Sequence, residues 1–174
     1  MTKLLSFHGK QEIKDQYITR LESHYKADEI VKGQYWQDGK GCAVGCTIHS
    51  GSHGNYETEL GIPRVLAKLE DCLFEGMSNA DAKEFPLRFL KAVPVGVDLS
   101  NVWKKFMIWL LVDPEHGVIK NALGNGISAV QNVADLFKRS LTETVSLDEW
   151  KLARKNAYAA DAADAAAYAA DAAA

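Results

Sequence analysis

Two cysteines and two histidines lie within twelve residues of one another, at Cys42, Cys46, His49 and His53. Thiols and imidazoles are the side chains that bind zinc and that serve as nucleophile and base in thiol enzymes. On a helix, the first three of these positions are i, i+4 and i+7, so they would share one face. The serines and glycines at 50–54 indicate that such a helix ends before His53. We therefore expect a short helix followed by a loop.

A zinc site is one chemistry that this spacing allows, with Cys42, Cys46, His49 and His53 as the four ligands. A straight helix from 42 to 53 would spread the donors over about 16 Å, at about 1.5 Å per residue. Only a reversal of the chain at Gly51 would gather them around one ion. Zinc therefore remains an alternative, and the sequence by itself assigns no metal.

Cysteine catalysis is a second alternative, with Cys42 as the nucleophile and His49 as its base. Cys42 follows Gly39-Lys40-Gly41 at the expected start of the helix. Exposed N–H groups at such a position lower the pKa of a thiol. The Gly-Cys pair with Gln37 upstream is similar to papain-like peptidases, but the spacing departs from that family and we do not assign the chain to it.

A third interpretation places Cys42 and Cys46 in the core as small apolar groups, because free cysteine is among the most buried residue types. The stretch from Gly39 to Glu59 would then bind a partner protein or a small ligand. The candidate binding residues are Cys42, Cys46, His49, His53, Tyr56 and Glu57. We favour this interpretation, which makes the chain an accessory protein whose activity is not assigned.

Acidic residues behind the stretch would extend any such site if the fold gathered them with its histidines. These are Glu57, Glu59, Glu70 and Asp71. The other three histidines, His8, His24 and His116, are expected at the surface or in turns.

Helices must position these residues, because apolar side chains recur at three- and four-residue steps along most of the chain. One amphipathic helix is predicted from Lys10 to Lys32, and another opens at Pro63 and ends at Gly76 with Cys72 on its inward stripe. The strongly apolar segment from Trp103 to Val112 predicts a central helix that is buried on nearly every face. The predicted fold class is all-α, a single-domain bundle of six to eight helices.

The C-terminal segment from Ala157 to Ala174 is nearly all alanine, the best helix former. A capping box at Ser146 to Glu149 opens the last helix, and the alanines continue it. We therefore divide the chain into a helical domain, 1–156, and a helical tail, 157–174. The exceptions to alanine fall on one stripe, formed by Tyr158, Asp161, Asp164, Tyr168 and Asp171. This stripe is either a low-complexity surface without a specific role or a docking surface for a partner or for a second copy of the chain. A homo-oligomer is therefore one of the possibilities that the sequence allows.

The overall composition limits which classes of partner and which cellular compartment we expect. Twenty Lys and Arg against 23 Asp and Glu give a net charge of −3, which argues against nucleic acid as a partner. Three cysteines are too few, and odd in number, for a disulfide framework, so we expect reduced thiols. The first ten residues lack the apolar region of a signal peptide, and the longest apolar run, Phe106 to Val112, is far shorter than the roughly 20 residues of a membrane span. We expect a cytoplasmic protein that does not enter the membrane.

The motif GKGCAVGCTIHS, followed by YETELGIP and LEDCLFEG, resembles a family of uncharacterised bacterial and phage-associated proteins. Some members carry an alanine-rich helical tail like this one. The resemblance covers Phe7 to about Met77 best. Because no activity is established for such proteins, it implies a prokaryotic, cytoplasmic setting and no catalytic residue.

Overall fold

The structure is a computed structural model that describes residues 4–171, with side chains described as far as Asp161. Within this range the chain forms eight α-helices, two 3-10 turns and one two-stranded sheet. The predicted fold, a mainly α-helical multi-helix domain, is confirmed. The chain divides into two compact units, one up to Ser100 and one from Asn101 on, which are described separately.

The first unit starts with a 3-10 turn, Ser6–Gly9, and continues with helices and one hairpin. Its elements are α1 (Gln11–Lys26), β1 (Trp36–Gln37), β2 (Lys40–Gly41), α2 (Ala43–Ile48), α3 (Asn55–Leu60), α4 (Arg64–Gly76) and α5 (Asn79–Ala92). The strands are antiparallel, and Asp38 and Gly39 between them both have positive φ, as a two-residue hairpin turn requires. Residues 34–41, which include the turn-forming types Asp and Gly, therefore contain this short hairpin.

Helix α2 lies at the centre of the first unit, although it has only six residues. All six are buried, and the helix packs against α1, α3, α4 and α5. The surrounding core is built from large apolar side chains, among them Leu21, Leu60, Ile62, Leu66, Phe74 and Leu90. The stretch that carries the cysteines is thus the most enclosed part of this unit's chain.

Helix α4 turns a different face inward from the one that the sequence indicated. Its buried residues are Leu66, Ala67, Glu70 and Phe74, whereas Cys72 is exposed. The prediction that Cys72 lies in the core was wrong, because a glutamate occupies the buried stripe and rotates the helix away from the purely apolar face.

Two glycines let the backbone before β1 lie directly on the first turn of α2. A Cβ added at Gly41 or Gly45 would stand 2.1 or 1.5 Å from the carbonyl oxygen of Tyr35. The N–H of Cys42 donates to the carbonyl oxygens of Gln34, at 2.7 Å, and of Tyr35, at 3.2 Å. The segment 34–36 therefore covers the start of α2.

The second unit consists of α6 (Val102–Val112), a 3-10 turn (Val118–Asn121), α7 (Asn125–Arg139) and α8 (Leu147–Asp171). Helix α6 packs on the turn and on α7, and α7 packs on α8. The prediction that this apolar helix is buried on nearly every face was wrong: none of its residues is fully buried, and Trp109 is 45% exposed. The physical reason is that α6 packs on its neighbours within the unit and is not enclosed by them, as a central helix would be.

Helix α8 opens on the predicted capping box. The Ser146 hydroxyl accepts from the N–H of Glu149, and the Glu149 carboxylate accepts from the N–H of Ser146. The helix runs unbroken to Asp171, so the predicted boundary after residue 156 falls inside it. The side chains of Asp164, Tyr168 and Asp171 lie outside the described side chains, and the docking stripe stays a prediction. No helix in residues 4–171 is long and apolar enough to cross a membrane.

Gly45→Ala should destabilise the first unit by about 1–3 kcal/mol or more, because overpacking of a rigid core forces backbone shifts that cost this much. The new Cβ would overlap the carbonyl oxygen of Tyr35. Gly76→Ala is the matched control, since nothing lies within 4 Å of its added Cβ. Urea unfolding followed by circular dichroism measures both. Equal midpoints for the two variants would contradict the close approach.

Candidate functional site

The predicted short helix followed by a loop is confirmed. Cys42 immediately precedes α2, and its Sγ accepts from the N–H of Gly45 at 3.5 Å. His49 ends the helix in a left-handed conformation with φ of 51°. His53 lies in the loop between α2 and α3.

The two histidines of the stretch have different surroundings. Trp36 stacks on His49, with ring centroids 4.3 Å apart and planes 10° from parallel. Its neighbour Tyr35 meets His53 edge to face, with centroids 5.7 Å apart. His49 and His53 therefore lie in separate surroundings, because the covering segment places Trp36 against the first and Tyr35 against the second.

Both thiols of the stretch are buried and protonated at neutral pH. Burial raises the pKa of Cys42 and of Cys46 to about 12, with smaller contributions from the carboxylates of Asp71 and Glu29 respectively. The Cys46 thiol donates to the carbonyl oxygen of Gly41 at 3.2 Å. The lowered thiol pKa expected at the start of α2 was wrong, because exclusion of water outweighs the N–H groups of so short a helix.

The metal alternative finds no geometric support among the side chains of residues 4–161. No group of three or more His, Cys, Asp or Glu side chains in that range is placed to hold a metal ion. His49 and His53 each form a hydrogen bond with another side chain of this protein instead, His49 with His24 and His53 with Asp71.

The first cluster is a hydrogen-bonded chain of Glu29, His24 and His49, which we call the Glu29–His24–His49 chain. His24 Nδ1 lies 2.6 Å from Glu29 Oε2, and its Nε2 lies 2.8 Å from Nε2 of His49. Burial lowers the pKa of His49, and the charges of Arg20 and His24 act in the same direction. The expectation that His24 is a surface residue was wrong: it is only 9% exposed. Its partner His49 is 25 positions away, beyond what local spacing can reveal.

Polar side chains of α1 form further contacts next to the Glu29–His24–His49 chain. Arg20 Nη1 donates to the carbonyl oxygen of Thr47 at 2.8 Å, and its guanidinium lies 4.7 Å from the ring centre of Tyr17. The Tyr17 hydroxyl donates to Glu59 Oε2 at 2.6 Å. Burial and the Glu59 carboxylate raise the pKa of Tyr17 to about 12. Glu59, one of the predicted acidic residues, is therefore held beside α1 and the His49 end of α2.

The second cluster surrounds a cleft of about 220 Å³, which we call the Asp71 cleft. Its lining residues are Gly33, Gln34, Tyr35, Cys42, Asp71 and Glu75. His53 Nε2 donates to Asp71 Oδ2 at 3.2 Å, and both carboxylate oxygens of Glu75 accept from the N–H of Gly33. The second oxygen of Asp71, Oδ1, is buried and accepts no hydrogen bond of normal geometry from the described residues, although the carboxylate also interacts with the Cys42 thiol. The cleft thus presents two carboxylates beside an exposed tyrosine.

Two of the predicted binding residues, Tyr56 and Glu57, have other roles. Tyr56 is fully buried and donates to Glu70 Oε2 at 2.7 Å, so a ligand at the surface cannot contact it. Burial raises the pKa of Glu70 to about 8, and that of Tyr56 is raised for the same reason. Glu57 accepts from the N–H of Arg64 and so caps the start of α4.

Comparisons with known proteins gave no match, whether with protein-family models, with curated proteins or with solved structures. The predicted likeness to bacterial and phage-associated proteins therefore stays a prediction. The site is defined by its own geometry, as the Glu29–His24–His49 chain and the Asp71 cleft.

The thiols should differ sharply in their reaction with iodoacetamide. Cys72 is exposed and should be alkylated in the folded protein, whereas Cys42 and Cys46 should react only after unfolding, since the thiolate is the reacting form. Mass spectrometry of peptides after timed alkylation measures all three. Alkylation of Cys42 faster than that of Cys72 would restore the thiol-enzyme interpretation.

Glu70→Gln should remove a pH dependence of stability that the wild-type chain shows. The folded pKa of about 8 lies above the ordinary 4.5. The stabilising contribution of this group is therefore complete below pH 4.5 and is lost as the pH rises to about 8. One pKa unit corresponds to about 1.4 kcal/mol, so the loss amounts to several kcal/mol.

Urea unfolding near pH 5 and near pH 9 tests this, at conditions on either side of the titration. The glutamine variant should lose less stability between them than the wild type. Glu12→Gln, at an exposed position on α1, is the control and should behave like the wild type. A wild-type chain that is as stable at the higher pH as at the lower would refute the assignment of a buried, neutral Glu70.

Proposed function

We propose that the chain is a cytoplasmic accessory protein that binds a small organic cation, an ammonium group, in the Asp71 cleft. One observation carries this proposal: the carboxylates of Asp71 and Glu75 and the ring of Tyr35 line the same small space. Under this proposal, the binding role that the sequence predicts for residues 39–59 belongs to Cys42, which lines the cleft, and to His53, which contacts Asp71.

The charge of the cleft favours a cation. Its lining includes two carboxylates and no lysine or arginine. An aromatic ring attracts a cation by about 0.5–2 kcal/mol, depending on how far it is desolvated. His53 donates its Nε2–H to Oδ2 of Asp71 and so holds the carboxylate in place, while Oδ1 of the same carboxylate accepts no hydrogen bond of normal geometry from the described residues.

The size of the cleft favours a small group. Drug-sized ligands occupy pockets of roughly 300–1,000 Å³, and this space of about 220 Å³ is smaller. An ammonium group offers three N–H donors, which the carboxylates and the neighbouring carbonyls can accept. A free amine and the end of a lysine side chain from a partner protein share this chemistry.

The alternative function, a thiol- or metal-dependent enzyme that uses Cys42, Cys46, His49 and His53, has less support. Protonated, buried thiols are poor nucleophiles, and His49 and His53 belong to separate clusters.

Titration with n-butylamine, with n-butanol as its uncharged analogue, tests the proposal. The amine should shift the backbone NMR signals of Gly33 and Tyr35 at neutral pH, and the alcohol should not. Glu75→Gln should weaken binding by about fivefold or more, because one of two carboxylates loses its charge while the amide oxygen can still accept from Gly33.

Glu12→Gln removes the same charge from an exposed site on α1 and should leave the affinity unchanged. If n-butanol shifts the same signals, or if both glutamine variants bind the amine equally, the proposal fails. A lysine peptide that binds much more tightly than n-butylamine would identify a partner protein as the source of the ammonium group.

A further inference from the structure

We propose that the Glu29–His24–His49 chain is a second functional site, a proton-transfer centre in which His49 is the general base for a weak O–H acid such as water or an alcohol. His24 and Glu29 act on the reaction through His49 and are positioning residues. This site is separate from the Asp71 cleft, and neither proposal depends on the other.

Hydrogen-bonding chemistry fixes where the protons lie. An ionised carboxylate only accepts, so the atom that faces Glu29, His24 Nδ1, carries a hydrogen. The two Nε2 atoms, 2.8 Å apart, then share one proton. In the neutral pair His49 donates its Nε2–H to the lone pair of His24, which leaves Nδ1 of His49 unprotonated and basic.

Burial differs between the two rings in the way that a relay to the surface requires. His49 is exposed, whereas His24 is buried behind it. Trp36 covers one face of the His49 ring. The backbone N–H of His49 donates to the carbonyl oxygen of Gly45 at 2.8 Å. The imidazole is therefore held in a fixed place on an exposed residue, as a general base requires.

The proton transfer balances without any further reactant. The O–H bond of the substrate breaks and an N–H bond forms at Nδ1 of His49. The proton on Nε2 of His49 passes across the 2.8 Å contact to Nε2 of His24, so the positive charge comes to rest beside the Glu29 carboxylate. The reverse sequence returns the proton to the product.

The charges around His49 keep it unprotonated until it reacts. Burial, Arg20 and His24 disfavour its cationic form, and Glu59 and Glu29 favour it. Burial, Arg20 and His24 together outweigh the two glutamates, since the pKa of His49 is lowered. Transfer of the proton to His24 places the positive charge beside the Glu29 carboxylate, which stabilises that charge better than the surroundings of the His49 ring do.

Carbethoxylation by diethyl pyrocarbonate is the first test, because this reagent attacks unprotonated imidazole nitrogen. Mass spectrometry should find His49 modified several-fold faster than His8, an exposed histidine that does not belong to the Glu29–His24–His49 chain. Glu29→Gln should move the midpoint of the pH–rate profile of His49 to lower pH, since the relayed charge loses its carboxylate. Glu12→Gln should leave the profile unchanged. An unshifted midpoint in Glu29→Gln would show that its carboxylate does not act on His49, and that result would overturn the proposal.

Hydrolysis of p-nitrophenyl acetate is the second test, with the full-length chain. Nδ1 of His49 takes a proton from water as the water oxygen adds to the ester carbonyl, p-nitrophenolate leaves, and the proton returns to solvent. His49→Gln should lower the rate at least fivefold with unchanged circular dichroism, and Glu29→Gln should shift the pH profile of hydrolysis as it shifts that of modification. Equal rates for wild type and His49→Gln would remove the catalytic role.

Discussion

The first unit depends on the contact between the backbone of residues 34–36 and the first turn of α2. Gly41 and Gly45 allow it, since any side chain there would overlap the carbonyl of Tyr35. The contact also uses the N–H groups that a helix leaves unpaired at its start. Cys42 N–H donates to two carbonyls of the covering segment, and Gly45 N–H donates to the Cys42 sulfur. The N–H groups of Gly45 and Val44 favour a thiolate at Cys42, but burial of the sulfur outweighs them, which is why the pKa of this thiol is raised.

The same contact creates the two clusters. Because the covering segment crosses α2, Tyr35 and Trp36 reach different histidines of one short stretch. His49 is thereby held against α1, where it meets His24, and His53 is held against α4, where it meets Asp71. Helix α2 and its covering segment thus serve two sites, and their rigidity fixes the geometry of both.

Much of the fold follows from local patterns, but the partners in the site do not. The helical class, the capping box at Ser146 and the short helix followed by a loop are visible as periodicity, cap chemistry and glycine placement. The pairing of His24 with His49 joins residues 25 positions apart and depends on how α1 packs on α2. The exposure of α6 likewise depends on how many neighbours a helix has, which its own apolar sequence cannot specify.

The burial of Glu70 on α4 could not be predicted from the sequence for a related reason. A charged residue type ordinarily marks the outer face of a helix, so the sequence favours the stripe that contains Cys72 as the inward one. Glu70 can lie inside because it is neutral there and because Tyr56 donates to it. The sequence carries no direct sign of that protonation state, which only the enclosed surroundings of the carboxyl group produce.

The adjacent carboxyls Glu70 and Asp71 connect the stability of the unit to the proposed cation site. Burial is the main cause of the raised pKa of Glu70, and the neighbouring charge of Asp71 adds to it. A cation bound at Asp71 would offset that charge and would therefore lower the pKa of Glu70. By thermodynamic reciprocity, ionisation of Glu70 would strengthen cation binding to the same extent. The proton on Glu70 and the cation in the cleft thus oppose each other: the proton favours the folded core, and its loss favours the ligand.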